Sequence, residues 1–327
     1  MPVLGRPTES KSKPEKPKQA KPRYGIAEWY GQLVSKVSRE VIVELIKSSK
    51  QKKSDNPPCP FRQEAEPGYK CSKKGGVCSI RQFEKKDDGI VSLQDDVVTL
   101  CPSRFWESNR VFRVVGKFTI GSGSPIVIRE VPFLQGLQQE EAEGGSGSDA
   151  VGQIDAVLVN PNDITEWCAL EIQAVYFSGE KMASHFEQFV GFGDGKLPFP
   201  DKVRRPDFRS SGPKRLMPQL QTKVPTLRRW GKKMVVVVDD PFFRSLGKFK
   251  EVNHISNCDI LWFVSRVDTE TGQISFDKPI MTTLESSIDA LTAGVPKSKE
   301  EFESRIDTIR SSRKKSDRKK VLNLTDL

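Results

Sequence analysis

The chain has 327 residues, with 53 Lys or Arg against 43 Asp or Glu, and a formal net charge of +10. That length allows one large domain plus a small one, and the positive balance favours a polyanionic partner, DNA or RNA. Two histidines in the whole chain argue against His-based metal chemistry and His-centred catalysis, and no apolar run reaches the length of a membrane span.

Residues 1–22 are rich in Lys and Pro and poor in apolar side chains, which predicts a disordered basic tail and offers no apolar core for a signal peptide. The expected location is therefore the cytoplasm. In the span Ile26 to Ile46, Ile26, Trp29, Tyr30, Leu33, Val37, Val41 and Leu45 recur at helical spacing. An amphipathic helix is expected there, packed on its own domain or serving dimerisation. Residues 47–106 read as a loop-rich polar module, so that 23–106 would form a helix plus a small cysteine-bearing unit.

A larger unit is expected over 107–310, followed by a basic tail over 311–327. Within it, Val111 to Ile128 is strand-like and carries the turn Gly121-Ser-Gly-Ser124, and Gln135 to Gly147 is acidic and then Gly/Ser-rich. Glu180 to Phe192 predicts a helix with Met182, Phe186, Phe189 and Val190 inward. Met234 to Val238 has the β-branched run of a central strand, and Asp259 to Val267 is a second strand ending in a hairpin near Glu270-Thr-Gly272. Lys299 to Arg310 predicts a terminal helix. Strands alternating with helices imply an α/β core with a mixed sheet flanked by helices.

Two acids interrupt the most apolar runs of this unit. Asp155 lies in Gly152-Gln-Ile-Asp-Ala-Val-Leu-Val159, and Glu171 and Gln173 lie in Trp167-Cys-Ala-Leu-Glu-Ile-Gln-Ala-Val175. A carboxylate inside a buried strand is costly unless compensated. The runs are joined by the turn Asn160-Pro-Asn-Asp163, so a hairpin brings Asp155 opposite Glu171, with Gln173 on the face of Glu171 because side chains repeat every two residues. Oxygen ligands so placed suit Mg²⁺ or Mn²⁺, and the chemistry they suggest is metal-assisted cleavage of a phosphodiester.

Four cysteines, spaced Cys59-x11-Cys71-x6-Cys78-x22-Cys101, sit among Pro, Gly, Lys and Ser. A tetrahedral thiolate site would supply the folding energy that this segment lacks, holding zinc or a single iron. Cys168 and Cys258 read as ordinary buried thiols. Between Lys196 and Lys233 there are twelve Lys or Arg and two acids, Asp201 and Asp207, with repeated prolines and the aromatics Phe199, Phe208 and Trp230. A long loop, or a loop with short helices, is expected to lie on DNA, contacting phosphate or bases through Arg204, Arg205, Arg209, Lys214, Arg215, Arg228 and Arg229.

A strand with Asp, a strand with Glu-x-Lys and a following helix make up the PD-(D/E)xK nuclease pattern, which this chain resembles, with Gln173 in the Lys position. That variant, with the upstream cysteines, resembles the NotI-type restriction endonucleases over about residues 55 to 290. The resemblance implies that Asp155 and Glu171 bind Mg²⁺ and that Gln173 orients the attacking water or the scissile phosphate. It also implies an additional Glu, with Glu130 the candidate and Glu140, Glu141 and Glu143 its rivals. It further implies one iron on Cys59, Cys71, Cys78 and Cys101, a homodimer acting on palindromic, GC-rich duplex DNA, and a separate companion DNA methyltransferase. The same residues leave two other readings open: a repair or mobile-element nuclease without sequence specificity, and a non-enzymatic DNA reader.

Overall fold

The computed structural model describes residues 23–86, 90–135, 150–179, 181–292, 294 and 297–321. The expected basic tail at 1–22, most of the acidic and Gly/Ser-rich segment with Glu140, Glu141 and Glu143, and the last six residues lie outside these.

An N-terminal antiparallel sheet has the order β2-β1-β3-β4. Its strands are β1 (Arg23–Trp29), β2 (Gln32–Leu33), β3 (Val77–Lys85) and β4 (Val91–Thr99), and α1 (Arg39–Lys50) follows β2. The helix expected from Ile26 is thus replaced by a hairpin and a helix that starts at Arg39. Tyr30 and Gly31 take positive φ (46° and 79°), which turns the chain back on itself and pairs Trp29 with Gln32. Ile26, Ala27, Glu28 and Trp29 are all buried, so β1 has no polar face and its strand period is invisible. Likewise the span 47–106 is loop-rich only up to β3; Val77 onward supplies two nine-residue strands.

The larger sheet is mixed, with seven strands. The segments β5 (Ile126–Gln135), β6 (Ala150–Asn160) and β7 (Asp163–Ile172) form an antiparallel meander. The short pair β8 (Phe177–Gly179) and β9 (Arg204–Pro206) stands apart as its own antiparallel ribbon. Strand β10 (Met234–Asp239) runs parallel to both β7 and β11 (Ile260–Val267), and β12 (Ile274–Phe276) and β13 (Ile280–Thr282) pair with β11. The expected central strand and the hairpin through Gly272 are present as β10 and β11–β12.

Each face of this sheet has its own core. Along β10, Met234, Val236 and Val238 join one cluster and Val235 and Val237 the other, the alternation a buried strand requires. Helix α2 (Arg110–Thr119) covers one face with Val111, Phe112 and Val115. Its β-branched composition reads as strand, but buried residues at i, i+1 and i+4 beside exposed Val114 and Phe118 give it a helical period. Gly116 packs where an added Cβ would sit 2.6 Å from the Ser122 carbonyl oxygen.

The opposite face is covered by a long helical stretch. Before it comes α3 (Ala183–Gln188), shorter than the helix expected over Glu180 to Phe192; Glu180 lies outside the described residues, and Val190 is exposed rather than inward. Then α4 (Phe208–Ser211), a π-turn over Gly212–Leu216 and α5 (Met217–Arg229) run on without a break. Much of the stretch expected as loop is therefore helix. Pro213 and Pro218 fall in the first turns of the π-turn and of α5, Pro225 lies inside α5, and Leu220, Val224 and Leu227 give α5 its buried stripe. The helices α6 (Asp240–Arg244), α7 (Leu284–Thr292) and α8 (Lys299–Ser311) complete the chain's main elements, α8 opening on a Ser298/Glu301 capping box. Among the described residues, no helix is long and apolar enough to cross a membrane.

Candidate active site

Strand pairing brings the acids together. Ala156 pairs with Leu170, so the next residues along the ladder, Asp155 and Glu171, stand opposite each other. Asp155 Oδ2 accepts a hydrogen bond from the Ile172 backbone N–H at 2.8 Å, which fixes the carboxylate at the end of the β6–β7 ladder. On the other side, Arg129 pairs with Ala156 and Val131 with Ile154, which sets Glu130 level with Asp155. Glu130 is solvent-exposed and adopts φ 50°. A non-glycine residue held in that region costs on the order of 1–3 kcal/mol, a strain that tends to collect at functional sites.

The chain beyond Glu171 crosses toward the N-terminal sheet. Gln173 N–H donates to the Val237 carbonyl at 3.0 Å and Val175 N–H to the Thr99 carbonyl at 2.8 Å. Thr99 N–H in turn donates to Asp239 Oδ2 at 2.5 Å. These bonds seat the end of β4 against the C-terminal ends of β7 and β10. The Gln173 amide donates to the Ala174 carbonyl at 2.5 Å.

A polar cleft of about 550 Å³ opens here, lined by Asp155, Glu171, Gln173, Lys214, Arg215 and Lys223 among others. Glu171 occupies the sheet face covered by α5 and is 6% exposed. Lys223, 2% exposed, donates from Nζ to Glu171 Oε1 and to the Gln153 carbonyl, each at 2.6 Å. Burial, and then the Asp155 charge, push Glu171 up to about 7 against the pull of Lys223. Asp155 opens onto the cleft, yet desolvation by the surrounding strands still raises it, with a smaller push from Glu130 and an opposing pull from the Ile172 N–H and Lys223. Two crowded carboxylates whose charges repel are a donor set that a divalent cation would relieve.

Lys223 did not stand out in the sequence. The signal was there: a Lys set among Leu220, Val224 and Leu227, on the apolar stripe of a helix. The other basic residues separate by position. Lys214 and Arg215, in the π-turn, line the cleft. Arg205, Arg209 and Arg229 are exposed elsewhere on the stretch. Arg204 is 2% exposed and holds the loop by donating to the Lys181 carbonyl and Ser184 Oγ, each at 2.9 Å. Arg228 is engaged with Asp259 and Glu285.

The four upstream cysteines are buried free thiols. An isolated antiparallel bridge between Pro58 and Lys70 sets Cys59 opposite Tyr69 and Cys71 opposite Pro57, and Cys101 N–H donates to the Cys78 carbonyl at 3.1 Å. Burial raises Cys59, Cys71 and Cys78, Cys71 to about 11, and in each case the Cys101 charge adds to the rise. Among the described residues, no three Cys, His, Asp or Glu side chains are arranged so as to hold an ion. Cys168 and Cys258 are buried elsewhere, on the far face of the large sheet.

No curated protein matches the chain. The family model described as restriction endonuclease NotI matches residues 37–277, an interval that begins just before α1 and takes in all four upstream cysteines, the acids of β6 and β7, and the strands from β3 through β12. With that match spanning well over half of its length, the chain belongs to the NotI restriction endonuclease family.

Proposed function

We propose that the protein is a Mg²⁺-dependent Type II endonuclease of the PD-(D/E)xK kind, cutting both strands of duplex DNA at a palindromic, GC-rich site as a homodimer. The observation that carries this reading is the cross-strand pair of Asp155 and Glu171, held at a cleft whose wall presents Lys214 and Arg215. A mere DNA reader has no need of two desolvated acids facing that wall.

In this reading Asp155 and Glu171 hold the divalent cation, with Glu130 beside them on β5. Such an ion supplies Lewis-acid polarisation of the phosphate and a lowered pKa for water. The chain's own residues do the rest. The Ile172 N–H keeps Asp155 at the ladder end, Gln173 orients water or phosphate from the cleft floor, and Lys214 and Arg215 draw the DNA backbone in. Upstream, Cys59, Cys71, Cys78 and Cys101 would hold one iron or zinc. Four buried thiols unpaired by disulfides, three of them in one core and each of those three feeling the Cys101 charge, are a donor set of that chemistry.

The test is incubation of the purified chain with supercoiled plasmid and Mg²⁺. Discrete bands support the reading, a smear would mean cleavage without sequence specificity, and intact plasmid across a range of DNA sequences would defeat it.

A further inference from the structure

We infer that Lys223 is a catalytic residue, its ammonium serving the reacting phosphate in place of the lysine that the Glu-x-Gln strand lacks. The inference rests on the nuclease reading above. Gln173 offers a neutral amide already turned to its own neighbour's carbonyl, so it cannot balance the charge of a pentacovalent phosphorane. Lys223 reaches the same cleft from a different element, α5, which covers the sheet face that carries Glu171.

Position and cost point the same way. Burying an ammonium is expensive, and an ion pair in a core is often no more stabilising than apolar side chains of like size. A Leu or Met at 223 would simply continue the stripe of Leu220, Val224 and Leu227. Instead the site holds a cation, 2% exposed, that uses two of its three donors on Glu171 and the Gln153 carbonyl. The third donor is left for a substrate oxygen. In hydrolysis a water oxygen bonds to phosphorus and the bridging P–O bond breaks. The water's proton goes to solvent, and the departing alkoxide takes one from solvent. Lys223 donates a hydrogen bond to the non-bridging oxygen on which charge grows.

The experiment compares wild-type, K223M, K223Q and the double variant Q173K/K223M, full-length, on plasmid DNA under single-turnover conditions with Mg²⁺. Melting temperature and DNA affinity, measured with Ca²⁺ in place of Mg²⁺, are read alongside. K223M and K223Q are expected to cleave about 10²–10³-fold more slowly, the loss typical of one preorganised donor, with DNA affinity unchanged. Q173K is expected to restore part of the rate in the K223M background. K223Q keeps a donor toward Glu171 and Gln153, so it tests the rate even where K223M does not fold. Wild-type rates in K223Q overturn the proposal. So does a folded, DNA-binding K223M that Q173K does not rescue, since Lys223 would then only support the structure. A wild-type chain that cuts nothing defeats the nuclease reading itself, which is a different failure.

Discussion

The Arg215 guanidinium lies over the Tyr176 ring, 3.7 Å from its centroid, and both side chains line the cleft that holds Asp155 and Glu171. The ring comes from the segment after β7 and the arginine from the π-turn before α5. Tyr176 is tied on both sides: its N–H donates to Ser211 Oγ at 3.0 Å, and its carbonyl accepts from Asp207 N–H at 2.6 Å. A stacked guanidinium is held at a fixed height, ready for a phosphate or a guanine edge. Arg215→Ala is therefore expected to weaken DNA binding. A phosphate contact would flatten the salt slope by roughly one unit on all DNA. A bidentate guanine contact would instead cost about 1–3 kcal/mol on the specific site alone. Titrations at several salt concentrations on specific and random duplexes separate the two, and unchanged affinity on both would remove Arg215 from the DNA surface.

Asp155→Asn and Glu171→Gln are expected to abolish cleavage while DNA binding persists, because these acids serve the chemical step and the basic wall supplies affinity. Asparagine can still accept the Ile172 N–H bond, and glutamine can still meet Lys223, so both variants should fold. Retained cleavage by either, measured on plasmid beside a binding assay, would refute the assignment.

Metal content tests the cysteines. Purified protein is expected to carry about one iron or zinc per chain, as a closed four-thiolate site requires. Cys71→Ser should lower that content and the melting temperature together, while Cys168→Ser, on the opposite core, should leave the content unchanged. Elemental analysis that finds neither metal would dismiss the site.

What could be read in the residues depended on whether local pattern and tertiary use agreed. The hairpin of β6 and β7 was legible because two apolar runs with a polar turn between them fold on local rules, and the acids stood out against that background. β10 was legible because a run of valines with no polar face fits only a central strand. Residues 26–29 misled for the opposite reason: a strand buried on both faces has no alternation, and its apolar residues fell by chance at helical spacing. The prolines after Asp207 suggested loop, but the helical stretch runs through them, Pro225 included, because its apolar stripe of Leu220, Val224 and Leu227 is buried against the sheet. Lys223 was hidden by distance, since its contact with Glu171 joins residues 52 apart in the chain and no local pattern announces it.

The last expectation concerns pH. His185 is completely buried between Phe83 and Phe189, with Nδ1 at 3.0 Å from Gln188 Oε1 and no partner for Nε2 among the described residues. Burial is the main reason its pKa falls to about 4, opposed by the Gln188 hydrogen bond, with smaller contributions from the Arg204 charge, which lowers it, and Asp201, which raises it. The unfolded chain takes up a proton near the ordinary histidine value of about 6.5, whereas the folded chain does so only near 4. Between those values the unfolded state binds more protons, so stability is fully present above about pH 6.5 and drains away as pH falls toward 4. The linked loss is about 3 kcal/mol over that window, at 1.36 kcal/mol per pKa unit. His185→Asn, which can still bond Gln188, is expected to cost stability at pH 7 through lost packing but to flatten this acid limb. Denaturant unfolding at pH 7 and at pH 4.5 measures both. A wild-type protein and a variant whose stabilities fall in parallel between those pH values would show that His185 is not held neutral by its burial.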